Sequence, residues 1–309
     1  MSADAKDEHC AGCGIAGADD VKLKRCACKL VKYCGVKCQK EHRPKHKKEC
    51  KKRAAELRDE LLFKQPECNH YGDCQICCLP LPLDPQKISF MPCCSNSICY
   101  GCDYANRKRE FQGKLQFSCP FCRQPASKSE EEAERILMRR VEANDPDAIG
   151  QMGFFRNNAG DHSGAIEYWI RAASLGHVQA HYNLSQMYLS GRVEMDEKKQ
   201  IYHLEEAAIG GHAKARYNLG CVEEDNGRLD RAIKHWIIAA KLGHNDALKT
   251  LKIAYREGLV SKKDFAAALR GHQAAVDATK SPQREKGEAA IQRSQAGRSF
   301  REFGSPTFV

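Results

Sequence analysis

The pattern of hydrophobic and polar positions changes character near residue 129. From there onward apolar residues recur at helical spacing, and the pattern repeats along the chain. Ala148, Ala180, Ala215 and Ala247 are separated by 32, 35 and 32 residues, and Met152, Leu184, Leu219 and Leu251 keep the same intervals. The neighbours Ala172 and Ala173, Ala207 and Ala208, and Ala239 and Ala240 recur in one register, followed by Gly176, Gly211 and Gly243. Such a period predicts αα-hairpins that stack, because one hairpin cannot bury its apolar face alone. Small residues let paired helices approach closely, and the glycine after each second helix supplies a left-handed cap.

Other repeated residues follow the same frame. His177, His212 and His244 stand just after the glycines and read as surface turn residues. Equivalent positions of stacked repeats lie about 8 to 10 Å apart, too far to share a metal. Asn183 and Asn218 share one helix position and are expected to tie one repeat to the next. Cys221 reads as a buried small hydrophobe.

Before residue 129 the texture is different. A helical stretch is expected from His42 to Phe63, stopped before Pro66, and the run Leu79, Pro80, Leu81, Pro82, Leu83 denies a long helix in the segment that follows. Beyond Lys280 the chain is polar and is expected to be disordered. The resulting boundaries are 1–66, 67–126, 129–279 and 280–309.

Composition sharpens this division. Of 18 cysteines, 17 lie between Cys10 and Cys122, leaving only Cys221 in the repeats. There is no apolar N-terminal signal and no run of about 18 apolar residues, so no membrane association is expected and the compartment is read as cytoplasmic or nuclear. In such a reducing compartment clustered cysteines are metal ligands in preference to disulfides. The net charge of +10 also has an address: residues 21–53 carry 14 Lys/Arg against Glu41 and Glu49. We read that stretch as the solvated basic face of a small metal-stabilised module rather than as a nucleic-acid surface.

In the first segment Cys10 and Cys13 form a Cys-x-x-Cys turn. Cys34 and Cys38 follow Tyr33, and His42, His46 and Cys50 continue at four-residue intervals on one helix face. With Cys26 and Cys28 there are ligands for two zinc ions. This run resembles a MYND-type zinc finger over about residues 10–50. The resemblance implies interleaved sites, with Cys10, Cys13, Cys34 and Cys38 on one ion and Cys26, Cys28, His46 and Cys50 on the other, His42 remaining a helix-surface residue. Cys26 and Cys28 are separated by Ala27 alone where the family has two residues, and Arg43 stands where a tryptophan is common.

The second segment holds three further Cys-x-x-Cys turns, Cys74 with Cys77, Cys99 with Cys102, and Cys119 with Cys122, and the adjacent Cys93 and Cys94. Their order resembles a RING-type finger over about residues 73–124. That implies a cross-brace with Cys74, Cys77, Cys99 and Cys102 on one ion and Cys119 and Cys122 on the other. Asn96 occupies the usual histidine position, so Cys93 and Cys94 have to supply two ligands between them. Cys68, His70 and Cys78 are left over as bystander or outer-shell groups.

The repeats, most clearly residues 180–191 and 215–220, resemble tetratricopeptide-like repeats of the Sel-one-like kind over about residues 147–273. The extra three residues of the second unit fall in 191–196. The whole chain is therefore expected to be mainly α, with two small zinc-stabilised modules followed by an αα-hairpin repeat solenoid.

Thiolates committed to zinc are poor nucleophiles, and no catalytic constellation emerges. Two function classes stay open. One is an adaptor whose fingers and repeats bind other proteins. The other is a RING-type ubiquitin-protein ligase, in which a ubiquitin-conjugating enzyme docks on Ile76 and Pro120, Arg123 bridges enzyme and ubiquitin, and the repeats select substrate; those roles are what the resemblance implies.

Overall fold

The computed structural model describes residues 9–17 and 22–295. Its contacts divide the chain into two compact units, Met1–Lys64 and Gln65–Val309.

In the first unit, β1 (Lys24–Arg25) pairs antiparallel with β2 (Lys32–Tyr33), Lys24 opposite Tyr33, and Cys10 bridges to Lys32. Helix α1 (Val36–Leu62) follows at once. It begins six residues before the expected start at His42, which places Cys38 in its first turn, on the same helix as His46 and Cys50. Within α1 only His46 and Leu62 are buried. The core of the unit is cysteine: Cys10, Cys26, Cys28 and Tyr33, with Ala11, Leu23 and Val31 against them. So little apolar surface cannot offset the entropy of ordering the chain, and the metal has to supply the balance.

The second unit opens with a 3-10 turn at Pro85–Lys87 and a hairpin of β3 (Ile88–Met91) and β4 (Asn96–Cys99), Ile88 opposite Cys99 and Met91 opposite Asn96. Helix α2 (Tyr100–Gln112) continues directly from β4. Its buried acids fix its surroundings. Asp103 accepts from Ser89 Oγ at 3.0 Å and from Arg107, tying α2 to β3, while Glu110 accepts from Ser118 Oγ at 2.9 Å, tying it to the residue before Cys119.

After α3 (Glu130–Glu142) come four helix pairs: α4 (Pro146–Asn158) with α5 (His162–Ser174), α6 (Val178–Ser190) with α7 (Glu197–Ile209), α8 (Ala213–Asp225) with α9 (Leu229–Lys241), and α10 (Asn245–Arg256) with α11 (Lys262–Ala278). Each of the first three pairs packs on itself and on the next, and α9 packs on both α10 and α11. The repeated alanines line the seams: Ala148, Ala180, Ala215 and Ala247 are fully buried, as are Ala172, Ala207 and Ala239. Gly176, Gly211 and Gly243 hold φ of 86°, 86° and 94°, the left-handed conformation that the sequence pattern requires of them. The longer second turn, residues 191–196, joins α6 to α7.

Two expectations are corrected. His177, His212 and His244 are not loose turn residues: each is the N-cap of a helix, its Nδ1 accepting from the backbone N–H three residues on, at 3.1, 3.1 and 3.2 Å. The repeat thus uses imidazole where Ser or Asp usually stands, and His212 is buried outright. The stretch 280–309, expected to be disordered, is helical as α12 (Pro282–Gln295), which packs on α2; residues 296–309 lie outside the described residues. Its polar composition hid a specific docking, since the polar side chains are those that meet the zinc module.

Candidate metal centres

The cysteine turns share one backbone plan. The N–H of Cys10, Cys26, Cys74 and Cys119 donates to the carbonyl five residues later, at Ile15, Val31, Leu79 and Gln124, over 2.8 to 2.9 Å. Inside this hairpin the residue after the second cysteine turns left-handed: Gly14 (φ 77°), Lys29 (60°), Cys78 (54°) and Arg123 (61°). Its N–H returns to the carbonyl of the first cysteine. Cys26 and Cys28, one residue closer than usual, keep the same outer closure and shorten only the inner turn. Cys78 is explained as well: it is the turning residue of its knuckle, exposed and in none of the described donor sets. Ser95 (φ 57°) plays this part after Cys93 and Cys94, its N–H bonding to the Met91 carbonyl at 2.8 Å, so a tight turn at the tip of the β3–β4 hairpin presents both sulfurs.

These knuckles converge into four sets of donors: Cys10, Cys13, Cys34, Cys38; Cys26, Cys28, His46, Cys50; Cys74, Cys77, Cys99, Cys102; and Cys93, Cys94, Cys119, Cys122. Within each set all ligand atoms lie within 4.8 Å of one another. A tetrahedron of zinc–sulfur bonds of about 2.3 Å has sulfur–sulfur edges of about 3.8 Å. The sulfurs of Cys34 and Cys38 are 3.6 Å apart, Cys26 and Cys50 3.6 Å, Cys77 and Cys99 3.8 Å, and Cys94 and Cys119 3.7 Å. The sets fit zinc.

Electrostatics point the same way. Cys74 is lowered to about 4, chiefly by the hydrogen bond from the Cys99 thiol and, against its burial, by the N–H groups of Cys77, Cys99 and Ile76; its partner Cys99 is raised, chiefly by that same bond. Cys38 is pushed up to about 12 by its bond to Cys34. Four thiols this close share protons among themselves, and only a cation lets all four ionise together.

Outer partners orient the ligands. His46 presents Nε2 to Cys28 Sγ at 3.1 Å and turns Nδ1 toward Glu49. His42 belongs to none of the four sets and bonds through Nδ1 to the Tyr33 hydroxyl at 3.0 Å. Asn96, two residues after Cys94, donates Nδ2 to Cys94 Sγ at 3.3 Å.

Residues 10–50 match the MYND finger family. This segment of the chain is a MYND finger. Among curated proteins the chain is 30% identical over 91 residues to chitin synthase regulatory factor 4 of Schizosaccharomyces pombe, a match covering 29% of this chain and 14% of that protein. Among solved structures it is similar to a Sel1 repeat protein from Oxalobacter formigenes (26% identity, 57% of this chain and 73% of that one, TM-score 0.42) and to immunity protein Pa5087 from Pseudomonas aeruginosa (18%, 59% and 70%, TM-score 0.38).

Beyond the MYND finger, Ile76 is exposed inside the Cys74 knuckle, Pro120 is half-buried in the Cys119 knuckle, and Arg123 is exposed just after it. Cys68 is exposed, and no described set of donors includes it. His70 is directed at the repeats, where Nε2 bonds to Gln179 at 3.0 Å. Two groups escaped the sequence reading altogether: Gln283 and Arg284 of α12, which donate to Cys102 Sγ at 3.2 Å and Cys77 Sγ at 3.3 Å. Ser281 followed by Pro282 is a helix-start signal that precedes them, and the Arg284 N–H does bond to Ser281 Oγ.

Proposed function

We propose that the chain is a zinc-organised adaptor, in which the MYND finger at 1–66, a RING-like module at 67–126 and Sel-one-like repeats at 129–279 each dock a different protein, in the cytoplasm or nucleus. The observation that carries this reading is that the donor sets are closed. Each supplies four protein ligands, whereas catalytic zinc sites keep a position open for water or substrate. The zinc therefore holds loops in shape, and the function belongs to the surfaces the loops present. The fission-yeast relative is named as a regulatory factor, which is in keeping with a non-catalytic role. The experiment is proximity labelling and cross-linking with the tagged full chain, comparing Cys34→Ser with Cys74→Ser. An adaptor loses one set of partners with each substitution and keeps the other. A single set lost by both, or by neither, overturns the division of labour.

The second reading, a ubiquitin ligase, is favoured by one specific observation: Ile76 and Arg123 stay exposed although α12 covers another part of the same module. A panel of conjugating enzymes with ATP and ubiquitin decides it.

A further inference from the structure

Arg284 is a cation only 5% exposed, and its surroundings are unusual. Nη1 donates to the carbonyls of Pro80 at 2.6 Å and Thr279 at 2.9 Å, and Nη2 to the Leu79 carbonyl at 3.0 Å and to Cys77 Sγ at 3.3 Å. Its neighbour Gln283 donates Nε2 to Cys102 Sγ at 3.2 Å and reaches the Gly101 carbonyl at 3.4 Å. Two of the four sulfurs of the Cys74 set thus receive donors from a helix 181 and 207 residues further along the chain. At the other side of the contact Lys87 pairs with Glu288 at 2.8 Å. The backbones meet without side chains between them: a Cβ on Gly101 would lie 2.7 Å from Arg284 Cα, and one on Gly287 2.9 Å from Gly101 Cα.

A zinc ion with four thiolates carries net negative charge, and a buried anion needs either a counter-charge or hydrogen bonds to its acceptors. Arg284 supplies both. Hydrogen bonds to a coordinated thiolate draw electron density from sulfur and lower its readiness to take a proton or an electrophile, which are the events that begin metal loss. The planar fork also spans Leu79, Pro80 and Cys77 at once, fixing the knuckle that carries Cys77.

We propose that α12 is a strap on the Cys74, Cys77, Cys99, Cys102 zinc site, with Arg284 and Gln283 as positioning residues that hold Cys77 and Cys102 in ligating geometry and slow the loss of the ion. This rests on the reading that the set binds zinc. The C-terminal helix is on that account part of the metal site, and whatever draws α12 away opens it.

The test uses the zinc-loaded full chain mixed with excess 4-(2-pyridylazo)resorcinol, which reports released zinc, alongside native mass spectrometry. One of four release phases should accelerate about ten-fold or more in Arg284→Ala and Gln283→Ala, within the range known for lost outer partners, with the other three unchanged. Arg284→Lys should recover only part, because an ammonium, with three donors on one nitrogen, cannot span three carbonyls and a sulfur. Gly101→Ala, which keeps all four cysteines and both α12 side chains but pushes the α12 backbone away, should accelerate the same phase. In cobalt-substituted protein the thiolate-to-metal charge-transfer band should shift in Arg284→Ala, a change that a purely structural role would not bring. If Arg284→Ala fails to fold, Gln283→Ala decides alone. Unaltered release in Gln283→Ala, from a protein that holds zinc at this set, overturns the strap. A parent whose zinc content is the same as that of Cys74→Ser instead overturns the metal assignment beneath it.

Discussion

His70 and His212 stack ring on ring, their centroids 4.1 Å apart, and their Nε2 atoms share one acceptor, Gln179 Oε1, at 3.0 and 3.2 Å. His212 in turn stacks on Tyr182 at 4.2 Å. This is where the second zinc module meets the repeats. The His70 N–H also donates to the Gly211 carbonyl at 3.2 Å, and a Cβ on Gly211 would lie 2.7 Å from the Cys68 carbonyl. Gly211 therefore serves twice, for its left-handed backbone and for the close approach of residues 68–70. Gln179 passes the contact on to Asn183 through Nε2 at 2.9 Å, so the link expected of Asn183 runs through a neighbour one turn away.

Because Gln179 Oε1 only accepts, both imidazoles donate to it. His212 Nδ1 accepts from Ala215, which leaves that ring neutral. Burial lowers His70 to about 4 and His212 well below its ordinary value, with His177 beside the former and Lys214 and His244 beside the latter acting in the same direction. A depressed histidine pKa means that the unfolded chain takes up protons below about 6.5 while the folded chain does not. The stabilisation is present above 6.5 and is lost as pH falls, for His70 down to about 4, at up to about 1.4 kcal/mol per pH unit for each histidine. Urea midpoints of the zinc-loaded chain between pH 7 and 5.5 should fall with acidification, and His70→Gln should flatten the slope. Equal slopes in parent and variant would remove His70 from the account, since any loss of zinc in acid is common to both.

The donor from Asn96 predicts a graded effect at the fourth metal set. Native mass spectrometry should count four zinc ions per chain. Asn96→Ala should leave that number at saturating zinc and weaken one site by about ten- to a hundred-fold, read by competition with a chelator. Asn96→His, which offers a ligand where the hairpin already has Cys94, should not raise the count. Three ions in the parent would mean that Cys93 and Cys94 do not both ligate.

How much of this was readable beforehand depends on whether a signal is local. The knuckles and the positive-φ glycines are properties of a few adjacent residues and the repeat period is the same local pattern recurring, so spacing alone marks Cys74 with Cys77 or Gly176 after Ala172 and Ala173. The membership of the donor sets was carried by the family resemblances. The roles of His212, Arg284 and Gln283 could not be read in this way. Each is defined by a partner between about 30 and 200 residues distant, and a polar residue looks alike in the sequence whether it meets water or a thiolate. The buried imidazole cap is the nearest to an exception, because His177, His212 and His244 repeat in phase with the alanines.

Removing the metal separates the two kinds of core. The repeat helices rest on buried alanine, leucine and tryptophan, whereas Leu81 and Ile98 are the only non-cysteine side chains buried in the core cluster around the Cys74 set. A chelator should therefore abolish hydrogen-exchange protection in α1 and α2, and in α12, whose seat on α2 goes with the zinc. Amides of α4 to α9 should keep theirs. Protection retained in α12 without zinc would contradict its dependence on the module. Loss across α4 to α9 would mean that the repeats cannot stand on their own stacking.

Two glycines make an unusual prediction for a helical repeat. Gly153 and Gly220 lie inside α4 and α8, where alanine is intrinsically better by about 1 kcal/mol. A Cβ at Gly153 would sit 2.5 Å from the Trp169 ring, and one at Gly220 2.2 Å from Trp236. Both indoles are buried, and Trp169 is held by its N–H bond to the Gly150 carbonyl at 3.1 Å. Overpacking a buried ring costs about 1 to 3 kcal/mol and outweighs the gain in propensity. Gly153→Ala and Gly220→Ala should each lower stability, by up to about 2 kcal/mol net, in urea unfolding. A stabilised variant would show that the indole can move aside.

Arg123 offers a way to separate shape from chemistry in the ligase reading. Its φ of 61° is one that glycine adopts without steric cost, as Gly14 does at the equivalent point of the first knuckle. Arg123→Gly should therefore leave the knuckle intact or slightly firmer, with zinc content unchanged. If the module presents Ile76 and Pro120 to a ubiquitin-conjugating enzyme, the guanidinium just beyond them is placed to clamp the enzyme–ubiquitin thioester, and its loss should reduce chain assembly by about ten-fold or more through orientation alone. Ile76→Ala, at an exposed apolar position, should reduce it by weakening the docking itself. The two substitutions then differ in kind. Raising the conjugating enzyme concentration should rescue Ile76→Ala and leave Arg123→Gly slow. Chains formed equally well by both variants would refute the docking model, and no chains from the parent with any conjugating enzyme would leave the adaptor as the function of these surfaces.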